Sequence, residues 1–418
     1  MKFPRLTAGL LCLLCIQPFT HLRLGADSAA DASLPLEGAS VYFYTDLEGD
    51  FERMGEFGNR IYREFILQQE GMPPFPVDIS KLYERLGLTN IKGMSAASYP
   101  LENGYFNNAS ILHLIEDGPK GIWGIFDLTD RPFEAAEAYS AKSDLVVQLQ
   151  LNPRNLLLLT EALAGDLMGG FGQMMIQQQL EMQLSEDGLT VRDLVLAFDQ
   201  PISLAIYLPP ASLAYDPAQD SFVDAPVEVA FAARFPGAGE KLRSAIAYAE
   251  QFGARVYEVD AITWVDLQMD LEGGLTPLFG VDADSGDLII TSAAEDWVWF
   301  REGTKLIDDP GYQKLRSQLP EQAAMFSYTS TMLGQTQASD LMDQAALPHP
   351  LLEEFEQALA PYLRPTVSTT RKVDGGIRTD NIHPYSYKHQ VWLIGFLILK
   401  AAMEQNLLSA DDAMDYSY

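Results

Sequence analysis

The chain has 418 residues, 47% apolar and 21% charged, a globular composition long enough to bury a core without disulfides or metals. Its 28 lysines and arginines face 58 acidic residues, a net charge of −30. A surface this negative repels phosphate backbones and anionic lipid heads, which argues against nucleic acid as a partner.

Lys2 and Arg5 precede an apolar stretch of eleven residues, Leu6 to Ile16, which Pro18 and Arg23 close. That is too short for a bilayer span and reads as an export signal, with small residues for cleavage after Ala26, Ala30 or Ala32. A lipid anchor or an uncleaved anchor is the rival reading, since Cys12 and Cys15 lie in this segment; bulky leucines before each cysteine count against it. Residues 1–32 are therefore expected to be a signal and short linker, and the protein to be periplasmic or extracellular. Removing residues 1–26 leaves 25 basic residues against 58 acids, a net −33, and no cysteine. Thiolate chemistry and cysteine metal sites go with them.

A first unit is expected over residues 33–140. Val41–Thr45 reads as a strand, Phe51 to Gln68 as an amphipathic helix with Met54, Phe57, Ile61 and Phe65 on one face, and Ile79 to Leu86 as a second helix. Asn108–Ile115 and Gly121–Phe126 read as strands around a turn at Asp117–Lys120. A second unit spans 141–320. It opens on the strand Asp144–Leu149 and continues in a helical stretch, Asn155 to Gln183, interrupted by Gly169 and Gly170. A hairpin of Leu194–Phe198 and Ile202–Leu208 follows, then a strand at Val227–Ala233 and a helix from Gly239 to Phe252 stopped by Gly253. Strands near Trp264–Leu271, Pro277–Val281 and Leu288–Thr291 lead into helices up to Leu319. A third unit, 321–418, runs from a strand at Ala324–Thr329 through a helix at Pro350–Leu363 and a hairpin at Val367–Asn381 to a closing helix, Tyr387 to Gln405. The expected fold is α+β: repeated strand-helix-hairpin modules whose antiparallel sheets are packed by helices.

None of the constellations that carry chemistry is complete. Asp46-Leu47-Glu48-Gly49-Asp50 follows a strand, yet lacks the histidines that metallophosphoesterase loops require. Asp282–Asp287 looks like a calcium loop, but its glycine comes one position early and Ala293 stands where a bidentate glutamate belongs. Asp266, Gln268 and Asp270 alternate with apolar residues as on the wet face of a half-buried strand. His113 with Glu116 lacks a third ligand, and His349, His383 and His389 form no metal-binding spacing. Thr369-Thr370-Arg371-Lys372 lacks the companions of a serine–lysine enzyme, and Gly169-Gly170-Phe171-Gly172 follows no strand, so it is no phosphate loop. Met168, Met174, Met175 and Met182 give a helix a soft apolar surface, suited to core packing or to a lipid or peptide groove. Val391 to Met403 is apolar almost all round and reads as a buried closing helix, with membrane-surface contact as the alternative.

Three segments resemble a family of exported bacterial proteins known only as a domain of unknown function. They are the strand Val41–Thr45; Asn108–His113 followed by Gly118-Pro119-Lys120-Gly121; and Gly303–Tyr312, leading through Leu319-Pro320 into the strand at Met325. The resemblance implies export and a similar fold, and brings no active site with it. No catalytic, cofactor-binding or metal-binding residue is assigned, and no cofactor. The function expected is a non-enzymatic envelope protein that binds an apolar small molecule or another envelope protein, with no transmembrane segment in the mature chain. The competing reading is a hydrolase whose carboxylates, first among them Asp46, Glu48, Asp266 and Asp270, converge only in three dimensions.

Overall fold

A computed structural model describes residues 34–66, 77–116, 118–208, 213–216, 221–224, 229–251, 253–267, 277–331 and 364–389. The expected helices at 350–363 and beyond 389 lie outside these residues. The fold is α+β, dominated among the described residues by one antiparallel sheet of thirteen strands. The strands are β1 (Val41–Asp46), β2 (Ile91–Pro100), β3 (Phe106–Leu114), β4 (Leu145–Leu149), β5 (Ile202–Tyr207), β8 (Ala230–Phe235), β9 (Arg255–Val259), β10 (Ile262–Asp266), β11 (Leu278–Asp282), β12 (Leu288–Thr291), β13 (Met325–Thr329), β14 (Thr366–Val373) and β15 (Gly376–His383). Their order across the sheet is 1-2-3-15-14-13-4-5-8-12-11-10-9; β6 (Leu213–Asp216) and β7 (Ser221–Asp224) form a separate hairpin. The strands of residues 321–418 thus sit between those of the first and second units. They pair through β15 with β3 and through β13 with β4.

Pairing register sets which side chains meet. One row crosses the sheet centre through Ala109, Asp380, Thr369, Phe326, Gln148 and Ser203, all of them buried. Over this face pack α3 (Glu134–Ala138), α7 (Ala294–Arg301) and α8 (Pro310–Arg316). They contribute Ala135, Ala136, Trp297, Phe300, Tyr312 and Leu315 to a core completed by Val146, Trp264, Ile289, Phe326, Val367 and Ile382. Phe133 stacks on Phe326 at 4.8 Å between centroids, and Tyr312 meets Phe326 and Tyr328 edge-on. Gln148 pins this layer to the sheet: its carbonyl accepts from the Ala135 amide and its amide donates to the Pro132 carbonyl, both at 2.8 Å.

Several expected boundaries shift for local reasons. Residues 121–125 form a 3₁₀ turn instead of a strand. The Ile122 amide bonds the Leu86 carbonyl, and Gly121, at φ 58°, has no room for a Cβ beside it. The partner of β3 is β2, whose Gly93-Met94-Ser95-Ala96-Ala97-Ser98 run lacks the β-branched signal of a strand. Small residues are needed there because a Cβ at Gly93 would lie 2.6 Å from the Thr45 carbonyl. The expected hairpin strand at 194–198 is instead a helix, α5 (Val191–Leu196), started by a capping box of Thr190 and Asp193. Strand β9, absent from the sequence reading, turns into β10 through Asp260 and Ala261, both at positive φ.

Three further helices pack together: α1 (Asp50–Ile61) lies against α2 (Ile79–Arg85), which α4 (Pro153–Leu180) also touches. The stripe Met54, Phe57 and Ile61 on α1 turns outward, 52%, 56% and 38% exposed, while Gly55 is buried. Gly55 lies against Ser80 so closely that a Cβ would fall 2.8 Å from the Ser80 backbone. That close approach orients α1, and its apolar stripe faces away from α2.

Candidate functional site

Two of the four suspected carboxylates, Asp46 and Asp266, do not meet. Asp46 ends β1, the edge strand, where its carboxylate accepts from the Glu48 amide as a local turn. Asp266 ends β10, eleven strand steps away in the sheet order, about 50 Å along the sheet at ~4.8 Å per strand. Glu48 is exposed, and Asp270 lies outside the described residues. Among the described residues no group of three or more His, Cys, Asp or Glu is placed to hold a metal ion.

The calcium-like segment is the turn between β11 and β12. The Asp282 carboxylate accepts from the amides of Asp284 and Ser285, at 2.8 and 3.2 Å. Burial pushes the pKa of Asp282 up, but those bonds outweigh it and hold the group below its usual range. Asp287 is buried and accepts from Arg234 at 2.6 Å and from the Gly237 amide at 3.0 Å. It therefore fastens β8 and the start of α6 (Gly239–Gln251) to the β11–β12 turn. Both its oxygens already have protein partners.

Among the described residues the histidines make structural contacts, and His349 lies outside them. His113 Nε2 lies 2.8 Å from the buried Ser95 hydroxyl, beneath the Tyr44 ring, and burial lowers its pKa. His389 Nδ1 accepts from the Ser386 amide at 3.1 Å. The His383 ring lies tilted against Tyr385, 4.3 Å between centroids; its Nδ1 is sealed from solvent without a partner, and burial takes its pKa down to about 4. One further polar cluster sits in the sheet centre. Asp380, 4% exposed at its side chain, receives two bonds from Arg378, at 2.8 and 2.7 Å, with Arg371 3.8 Å away. Burying a carboxylate this deeply is costly without such partners.

An open cleft of about 520 Å³ lies beside α6, lined by Asp187, Asp193, Glu240, Lys241, Arg243 and Ser244 among others. It is mostly polar and mixed in sign, with Leu189 the one large apolar side chain in its lining.

The apolar surface lies elsewhere. At Gly169, φ 65° and ψ −155° break helical geometry and divide α4 into limbs 153–168 and 170–180. A Cβ on Gly172 would fall 2.3 Å from the Ala164 carbonyl, eight residues earlier. In a straight helix that separation is about 12 Å, so the limbs fold back on one another. Arg192 joins their bases, reaching Glu161 at 2.9 Å and Glu181 at 3.0 Å. On this hairpin Leu167, Met168, Phe171, Met174 and Met175 are 38–56% exposed, with Leu158 and Met182 toward the base at 64% and 49%. Side chains of this size leave roughly 500 Å² of apolar surface in water at the tip, at the upper end of what a monomer tolerates without a partner. The Met-rich composition and the interruption at Gly169 and Gly170 were legible beforehand; the reversal was not, because glycine permits a break without setting its direction.

No family model matches the chain, and no curated protein or solved structure matches it.

Proposed function

We propose that this is an exported envelope protein that acts by binding rather than by catalysis, and that its docking element is the apolar helical hairpin of α4. One observation carries the reading: six large apolar side chains stand exposed along α4, with Met182 just beyond it, whereas Tyr139, Trp264, Phe300, Tyr312 and Phe326 are fully buried. Exposed clusters of this kind mark interaction surfaces. An enclosed apolar ligand finds no support in the polar cleft, so the binding role moves from the interior to the surface. The hydrolase alternative is left without its first suspects, since Asp46 and Asp266 stand near opposite edges of the sheet.

Export rests on the leader-like first segment and the cysteine-free remainder. The repeated-module organisation is also a proposal. It is supported by three sets of adjacent antiparallel strands, β1-β2-β3, β4-β5-β8 and β13-β14-β15, each consecutive in the sheet. Fractionation of the producing cell tests the docking reading. The natural chain is expected in the envelope pellet, and Phe171→Glu with Met174→Glu in the soluble fraction; an unchanged distribution, with both proteins folded, would end it.

A further inference from the structure

We infer that the α4 hairpin docks on a lipid surface of low net charge, inserting its tip among headgroups; this rests on the docking reading above. The argument is one of charge. From Leu167 to Leu180, fourteen residues, no side chain ionises, in a chain where 21% of residues are charged. The polar positions of the second limb are neutral glutamines, Gln173 and Gln177 to Gln179.

The acids nearest the tip are matched by cations. Asp166, 7% exposed, is held by Lys81 at 2.5 Å and Arg85 at 3.0 Å, and Arg192 holds both Glu161 and Glu181. Over α2, α4 and α5, Lys81, Arg85, Arg154 and Arg192 stand against Glu84, Glu161, Asp166, Glu181 and Asp193, a local charge near −1 on a protein of −30. This is the face that approaches a headgroup layer without repulsion, whereas a cationic protein partner would be drawn to the acid-rich remainder.

Shape agrees. The tip's side chains are flexible methionines around one phenylalanine, and a second exposed stripe, Met54, Phe57 and Ile61, lies on α1, which α2 links to α4. A fluid interface accepts two separate apolar patches at once, where a single groove takes one helix face. Among the described residues no helix is long and apolar enough to cross a membrane, so the mode is insertion from one side. Phe171, 56% exposed, has about 110 Å² of apolar surface left to bury, worth roughly a hundredfold in partitioning.

The test is flotation of the purified protein with phosphatidylcholine vesicles at low and high salt. Expected are co-flotation that survives 0.5 M salt (as apolar insertion does, by the screening argument), a loss of at least tenfold in Phe171→Glu/Met174→Glu, and no loss in Val298→Glu, an exposed apolar site on α7. Phe171→Trp, a conservative reporter, should blue-shift on vesicle addition. Absence of flotation, flotation abolished by salt, or flotation indifferent to the tip variant overturns the inference. A photo-reactive residue at position 171 in the producing cell then separates the two readings. A crosslink to a polypeptide, whether a second copy or another protein, keeps the docking reading and removes the lipid one; no crosslink and an unchanged cell fractionation remove both.

Discussion

Three glycines within four residues of the α4 tip respond oppositely to alanine if the chain reverses there. At Gly169 the backbone occupies φ 65°, ψ −155°, a region essentially reserved for glycine, so alanine costs about 2 kcal/mol. Gly170 is helical with open space around it, and alanine should stabilise by about 0.7 kcal/mol through helix propensity and reduced unfolded-state entropy. At Gly172 the new Cβ would lie 2.3 Å from the Ala164 carbonyl and 2.6 Å from Met168 Cβ. Ordinary carbon–oxygen contact begins near ~3.3 Å, so the limbs must part by about 1 Å. A gap of that size forfeits a quarter to a half of the dispersion between them, and with overpacking of about 3 kcal/mol offset by about 1 kcal/mol of propensity the net cost is about 2 kcal/mol. Hydrogen exchange of peptides within residues 153–180 reads these values locally, each 1.4 kcal/mol changing protection about tenfold. A continuous helix makes the opposite forecast, since all three alanines would then stabilise. Protection that rises in Gly172→Ala as it does in Gly170→Ala would refute the hairpin and the apolar tip with it.

Other expectations follow from the sheet and its turns. Asp380→Asn leaves Arg378 and Arg371 half-buried without their carboxylate and should destabilise by about 3–5 kcal/mol in urea unfolding; a change below 1 kcal/mol would deny the cluster its structural role. Asp287→Ala should cost about 2–3 kcal/mol by stranding Arg234 and the Gly237 amide, while Asp284→Ala, in the same turn, costs little. Neither variant's melting temperature should respond to millimolar calcium, and a calcium-dependent rise would restore the metal reading. His383 has a folded pKa near 4 against 6.5 unfolded, so it favours folding above about pH 6.5 and loses that contribution as pH falls toward 4. The full shift corresponds to about 3 kcal/mol, and the residue as a whole is only part-buried, which reduces it to about 2 kcal/mol. Subtracting the pH profile of His383→Leu from that of the natural chain should isolate this slope, and parallel profiles would refute it.

The sequence alone determined the class of the fold and most of its elements. Local signals sufficed where alternation or capping is self-contained: the β1, β4 and β13 strands, the hairpin around Asp374-Gly375, and the helix that Gly253, at φ 91°, terminates. The acidic turn at Asp282–Asp287 was legible for the same reason, since its bonds run between near neighbours. Tertiary structure decided the rest. Strand β2 exists because β1 and β3 hold both its edges; its small residues state no preference of their own, and close packing against Thr45 and Tyr44 selects them. The insertion of β13–β15 between the other two groups of strands is a long-range pairing that no window of sequence contains. The candidate site follows the same division. Composition revealed a methionine-rich helix, but whether it faced core or water depended on a reversal at Gly169 and a close approach at Gly172. Burial is a property of what surrounds a side chain, and only the folded chain supplies those surroundings.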